Sequence, residues 1–350
     1  MSESTLSLHI GGRRIDRFLS YRVDSDLYQA ADAFSLELAD PGMEINPGMP
    51  CELRVNGTLE LTGIIDKVAE TGDKNGNNVS IEGRDLMGLL VDSYIEGEFV
   101  DLQSVTLQAL AERLIKSIPY LNRKRLVYQA GLAGSAAERT TEEAFDLGQK
   151  THLDATRTVF ETLREAAVSR GVMFFALPDG TMVFGRPKAG GSEDFRLTRL
   201  RSGQGNTVLS GGRTRDISQR YSRITVLGQQ QGSDAIGAEE INTAATVNDP
   251  EVAIFKPLVI QNDNDAQSPA QHARMLLEKQ RMASLQFSYR VQGHAQDRKN
   301  WRINRLCRVN DEILRPAANG IFLITGRSFE LDKQSGRSTE VRLGLPGVIA

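Results

Sequence analysis

The chain of 350 residues carries 42 Lys and Arg against 45 Asp and Glu, a formal net charge of −3, with 40% hydrophobic and 25% charged residues. That is enough chain for two or three globular domains, and the near-neutral balance excludes a whole-chain electrostatic drive toward nucleic acid or an anionic membrane. No apolar run approaches the ~20 residues of a membrane-spanning helix, and Met1–Glu3 lacks the basic and apolar regions of a signal peptide, so a cytoplasmic protein without stable membrane association is expected.

Residues 1–95 read as β. Leu6, Leu8 and Ile10 alternate with polar residues before Gly11-Gly12, and Phe34, Leu36 and Leu38 repeat the pattern before Asp40-Pro41-Gly42. Leu53 and Val55 lead into Asn56-Gly57, a strong two-residue hairpin signal, and Asn75-Gly76 marks another turn. Six or so short strands with tight turns predict a small β-barrel or sandwich.

The period changes over 96–190. Leu107, Leu110, Ala111, Leu114, Ile115 and Ile118 have helical spacing, and a second helix is predicted from about Thr156 to Arg170 with Gly171 at its end. Pro178-Asp179-Gly180 then turns a hairpin between Val172–Leu177 and Met182–Phe184, giving an α/β region.

Residues 191–230 return to β, with Tyr221–Leu227 the clearest strand, and 231–284 reads as an inserted α/β segment. Its helix opens with Ser268 as N-cap, Pro269 at the first helical position and Gln271 completing a capping box. From 285 to 350 the chain is β again: Leu285, Phe287, Tyr289 and Val291 alternate with polar residues, as do Thr339, Val341, Leu343 and Leu345. The predicted fold is therefore mainly β with α+β elements: a first barrel (1–95), an α/β domain (96–190), and a second, discontinuous barrel (191–230 and 285–350) interrupted by 231–284.

The two barrels read as copies. Arg54-Val55-Asn56 recurs as Arg308-Val309-Asn310, and Leu61-Thr62-Gly63 as Ile324-Thr325-Gly326; each Thr-Gly is followed by a β-run, a glycine turn (Asn75-Gly76 or Ser335-Gly336) and an alternating strand. Two similar modules per chain would let three chains present six similar modules around one axis.

Further segments carry a resemblance. Phe34-Ser35-Leu36-Glu37-Leu38, Thr62 to Val68, Glu82-Gly83-Arg84-Asp85-Leu86, Arg170-Gly171-Val172, Arg220-Tyr221-Ser222, Lys256-Pro257-Leu258, Tyr289 to Gly293, Trp301 with Asn304, and Phe322 to Gly326 follow one another in an order that resembles the baseplate hub proteins of Mu-like contractile phages, relatives of the late-control D proteins and of the N-terminal region of VgrG spike proteins. One departure is Asp297-Arg298-Lys299-Asn300, where related sequences often place a glycine before the tryptophan. The resemblance implies two tube-protein-like barrels per subunit and a homotrimeric ring in the virion tail baseplate. One face would seat the tail tube and the other the central spike. Wedge and tape-measure proteins would dock nearby, and the lumen, expected to be neutral or acidic, would pass DNA.

Motifs for chemistry are sparse. The sequence has no GxxxxGK[ST], GxSxG or HExxH. Cys51 and Cys307 stand outside any CxxC and read as reduced thiols in strands, the four histidines are dispersed, and Asn262-Asp263-Asn264-Asp265 lacks the glycine and distal glutamate of a calcium loop. No catalytic residue, cofactor or metal is expected. A tail-associated peptidoglycan hydrolase would need a positioned carboxylate or Cys-His pair, and a carbohydrate- or receptor-binding protein would need exposed aromatic platforms, for which Trp301 is the one tryptophan. Charge is more informative: residues 231–265 are acidic, with Glu239 and Glu240 among seven acids, and residues 271–310 are basic, with Arg298, Lys299, Arg302 and Arg305 among nine basic residues. These six named residues are the candidate interface, by complementary docking between subunits or with a tail partner; the same segments also read as two solvated faces, or the basic one as a surface for nucleic-acid phosphate.

Overall fold

The computed structural model describes residues 5–39, 41–74, 76–95, 106–121, 126–128, 156–228, 244–262 and 268–349. The first module holds β1 (Leu6–Ile10), β2 (Arg13–Ile15), β3 (Ser20–Asp26), β4 (Ala33–Ala39), β5 (Pro50–Val55), β6 (Thr58–Asp73) and β7 (Gly76–Asp85). Its alternating apolar residues face one side, with Leu8, Val23, Leu36, Leu38, Leu53 and Ile81 fully buried. Asn56 and Gly57 turn the β5–β6 hairpin at φ of 52° and 77°, the left-handed pair that a two-residue turn requires.

An α/β region follows. α1 (Met87–Asp92), α2 (Leu107–Ile115) and α3 (Val159–Val168) pack on a three-stranded sheet of β8 (Leu126–Tyr128), β9 (Met173–Ala176) and β10 (Met182–Gly185). Thr158 caps α3 through a reciprocal capping box with Glu161, so the helix begins slightly later than its spacing suggested.

The second module holds β11 (Phe195–Arg199) and β12 (Val208–Arg215), then an insertion. The insertion contains β13 (Arg223–Leu227), β14 (Ala244–Asn248), β15 (Pro257–Gln261) and α4 (Pro269–Ser284). The module resumes with β16 (Leu285–Gln292), the small hairpin β17 (Ala295–Gln296) and β18 (Lys299–Asn300), β19 (Leu306–Asp311), β20 (Ala318–Asp332) and β21 (Gly336–Gly344). The Ser268–Gln271 capping box opens α4 as its sequence requires. One assignment changes. Arg223–Leu227, read from sequence as a strand of the second barrel, lies between β14 and β15 in a separate sheet packed under Ala273 of α4. The inserted unit therefore begins before residue 231, because Ile224 and Val226 bury against the helix.

The modules form the two halves of one 13-stranded sheet. The first runs β3-β4-β7-β6-β5-β1 and the second β12-β16-β21-β20-β19-β11. Taken along the chain, the two series visit equivalent places in the same order, and the first five strands of each are antiparallel throughout. The last differs: β1 is antiparallel to β5, whereas β11 is parallel to β19. The short β3–β4 loop of the first module is replaced by the whole inserted unit in the second.

Ladder register fixes which residues correspond. β6 and β20 each carry one unpaired extra residue at the same place: Asp66 between the pairs Ile65–Gly83 and Lys67–Glu82, and Thr325 between Ile324–Leu343 and Gly326–Arg342. Ile65 thus matches Ile324, and buried Cys51, opposite Gly63, matches buried Cys307, opposite Phe322. The tripeptides that suggested the repeat are not equivalent. Gly63 matches Phe322, four residues short of Gly326, and Leu53 rather than Val55 matches Val309. Both displacements are even, so every residue keeps its face of the sheet and the hydrophobic pattern still agrees.

Gly83 occupies the place of Leu343. A Cβ there would lie 2.4 Å from the Ile64 carbonyl oxygen and 2.4 Å from Cζ of Phe34. Gly83→Ala should therefore cost about 1–3 kcal/mol, read as a lower urea midpoint at unchanged slope.

Candidate assembly interface

The contact between the two modules is a continuous seam within the chain. β20 pairs along one edge with β21 and divides its other edge in two: Ala318–Leu323 pairs with β19, and Gly326–Leu331 pairs with β3 of the first module. Side chains from both modules close over this seam. Arg22 bonds Glu330 (2.6 Å), Arg342 bonds Asp26 (3.3 Å), and Ser328 donates to Asp24.

Beneath the seam lies a buried polar network. Glu60 and Arg327 are 1% and 2% exposed, and Arg327 Nη2 donates to Glu60 Oε2 at 2.8 Å while its guanidinium sits 3.8 Å from the Phe329 ring centre. Burial lowers the Arg327 pKa, and the Glu60 carboxylate opposes that shift. Asn300 donates to Glu60 Oε1 (2.7 Å) and to the Val55 carbonyl (2.9 Å), and receives a bond from Asn56 (2.8 Å). The turn residue Asn56 thus reads the second module directly.

His294 forms a second bridge. Its Nε2 lies 2.6 Å from Tyr21 Oη of the first module and its Nδ1 3.2 Å from Thr339 Oγ1 of the second. Thr339 donates to the Gly293 carbonyl at 2.6 Å, so its hydroxyl accepts from Nδ1–H and Tyr21 donates to Nε2. This is the pattern of a neutral imidazole. Burial, with help from Arg327, pulls the His294 pKa down to about 4, and burial pushes Tyr21 up to about 12.

The four basic interface candidates that fall on described residues do not act alike. Arg298 and Lys299 stand exposed at the β17–β18 hairpin, where Asp297 and Arg298 adopt φ of 50° and 66° without a glycine. Arg302 reaches 3.8 Å from buried Glu60 while 41% of its side chain stays exposed, so it lies at the margin of the internal network. Arg305 is exposed, and its carbonyl accepts from the Ile324 amide. Glu239 and Glu240 lie outside the described residues. One pairing between the acidic and basic segments is internal: Asp249 binds Arg281 at 2.9 Å and also Arg220 at 2.7 Å.

The features that other functions would use are engaged elsewhere. Trp301 is 1% exposed and stacks on Phe195 at 4.6 Å, so it offers no platform to a sugar. Asp32 and Asp85 are neighbouring carboxylates with raised pKa values, Asp32 to about 6, through burial. Each accepts a main-chain N–H, Asp32 from Asp26 (2.9 Å) and Asp85 from Met87 (3.1 Å), and so closes a turn. Among the described residues, no group of three or more His, Cys, Asp or Glu is placed to hold a metal ion.

Comparison with known proteins agrees with this architecture. Residues 5–85 match the family model for the Mu phage baseplate assembly protein GpP-like N-terminal domain, and residues 220–275 match the tail protein NMB1110-like third domain. The baseplate hub protein gp44 of Escherichia phage Mu is 23% identical over 355 residues, spanning 97% of this chain and 87% of that protein. The chain resembles the Mu-like baseplate hub proteins. Two solved structures share the fold of this hub-like chain. A tail protein from Neisseria meningitidis MC58 has a TM-score of 0.81 at 24% identity, covering 98% of this chain and 96% of that one. The 43 kDa tail protein of prophage MuSo2 from Shewanella oneidensis has a TM-score of 0.78 at 22% identity, covering 97% and 98%. The match beginning at 220 coincides with the inserted unit, in keeping with its separate sheet.

The seam generates two expectations. Because the folded-state pKa of His294 lies below the ordinary 6.5, the unfolded chain binds the extra proton first as pH falls. This contribution to stability is complete above about pH 6.5 and is lost progressively down to about pH 4, by roughly 3 kcal/mol in all. His294→Gln should be less stable than the parent at pH 7, and the gap in Tm should close by pH 4; a pH-independent gap would contradict this. Arg327→Met should cost about 3–5 kcal/mol by stranding Glu60, whereas adding Glu60→Gln should recover most of that loss in denaturant titrations.

Proposed function

We propose that this chain is the structural hub of a contractile phage-tail baseplate. It would assemble as a homotrimeric ring that joins the six-fold tail tube to the three-fold central spike and leaves a channel for DNA. The observation that carries this reading is the repeated five-strand order within one chain, with the two copies joined edge to edge by β3 and β20. Three such chains supply six similar modules, the minimum that lets a three-fold object mimic six-fold symmetry. The likeness to a baseplate hub protein of phage Mu supports the same role. The mechanism is mechanical rather than chemical: a stiff ring with matched faces transmits the force of sheath contraction and holds the conduit open.

Tube and spike are the proposed principal partners, with wedge and tape-measure proteins at the periphery. Exposed Arg298, Lys299 and Arg305 are proposed contact residues, and Glu239 and Glu240 their acidic counterparts. Arg302, whose side chain is 41% exposed, stays in that set, and reversing its charge would also act on buried Glu60.

Light scattering on the purified chain, followed by electron microscopy of the particle, tests the proposal. A three-chain ring with pseudo-six-fold modules and a neutral or acidic lumen is expected. A strict monomer at every concentration, or a lumen lined with basic residues, would count against it.

A further inference from the structure

The seam inside the chain specifies a second seam that the chain cannot make with itself. In the second module, the half of β20 beyond its extra residue pairs with β3. The equivalent half of β6, from Lys67 onward, pairs with β7 on one edge, and among the described residues no strand takes the other. The equivalent of β3 is β12, which ends the sheet: it pairs with β16 alone. Lys67, Glu70, Thr71 and Gly72 are exposed on one edge, and Thr214, Arg215 and Asp216 on the other. Within the chain the equivalent places are buried: Phe329, the counterpart of Glu70, lies opposite Val23, and Arg327, the counterpart of Val68, lies opposite Ser25. Unpaired strand edges of this kind are templates for β-addition.

We infer that β6 of one copy pairs antiparallel with β12 of the next, repeating between chains the β20–β3 seam found within each chain. This rests on the ring reading above and specifies its contact. Transferring the register through the equivalences Lys67 to Gly326 and Arg213 to Val23 sets the partners. Lys67 then faces Asp216, Ala69 faces Thr214, and Glu70 faces Arg213. The transferred register knows nothing of charge, yet both ionic pairs it creates are of opposite sign, the favourable arrangement for directly opposed residues. The same charges disfavour wrong pairings, because each edge presents its own sign at the central position: Glu70 on β6, Arg213 on β12. The contact is head to tail, with a different surface on each side, and such contacts propagate until the ring closes.

Ala69 and Thr214 occupy the places of Ser328 and Asp24, whose side chains touch across the internal seam. The full-length chain carrying both Ala69→Cys and Thr214→Cys should therefore form covalent oligomers on mild oxidation, ending at three chains on a non-reducing gel. The out-of-register combination Ala69→Cys with Gly212→Cys should cross-link at least tenfold more slowly. Native Cys51 and Cys307 are buried and remain in both variants. In parallel, Glu70→Arg should weaken assembly at least tenfold, and Glu70→Arg with Arg213→Glu should restore it, each variant being checked for native circular dichroism. A three-chain ring by light scattering that yields no cross-link between positions 69 and 214 would overturn this seam and leave the ring reading standing. A monomer at every concentration would overturn both.

Discussion

The structure depends on the pairing of β3 with the far half of β20. That short ladder, Tyr21–Asp26 against Gly326–Leu331, makes two modules one sheet, and the residues it brings together give them a single hydrophobic core running from Leu6 to Leu343. Its geometry follows from the length of β20. The strand runs past β19, and the extra residue at Thr325 marks the point where it changes neighbours. A strand that outgrows its hairpin partner must find another edge or leave its N–H and C=O groups to water.

The seam is held by polar contacts that an apolar surface could not replace without losing register. Burying Glu60 against Arg327 costs desolvation on both sides, which their attraction offsets only in good geometry. The return is selectivity: Arg327, Asn300 and Arg302 all converge on one carboxylate of the first module, and a slip of one residue would strand it. His294 works the same way, since only a neutral ring can accept from Tyr21 while donating to Thr339.

The modules have diverged where the common framework tolerates it. The first ends in the β1–β2 hairpin, the second in the parallel strand β11. A six-residue loop after β3 has as its counterpart an inserted unit with its own sheet, helix and small core. At the open edges of β6 and β12, Glu70 and Arg213 stand where the internal seam buries Phe329 and Val23.

Strand alternation, the Asn56-Gly57 turn and the Ser268–Gln271 cap were legible from local sequence, because each depends on spacing or backbone preference within a few residues. The exact equivalence of the two copies was not: an even shift along a strand leaves the inside–outside pattern unchanged, so Gly63 and Gly326 looked alike though the ladder sets them four residues apart. Nor could the sequence distinguish Arg302, which turns toward a buried carboxylate, from exposed Arg298 and Lys299, or assign Arg223–Leu227 to the inserted sheet. Those outcomes depend on which distant strand supplies the neighbouring edge, and only the tertiary fold decides that.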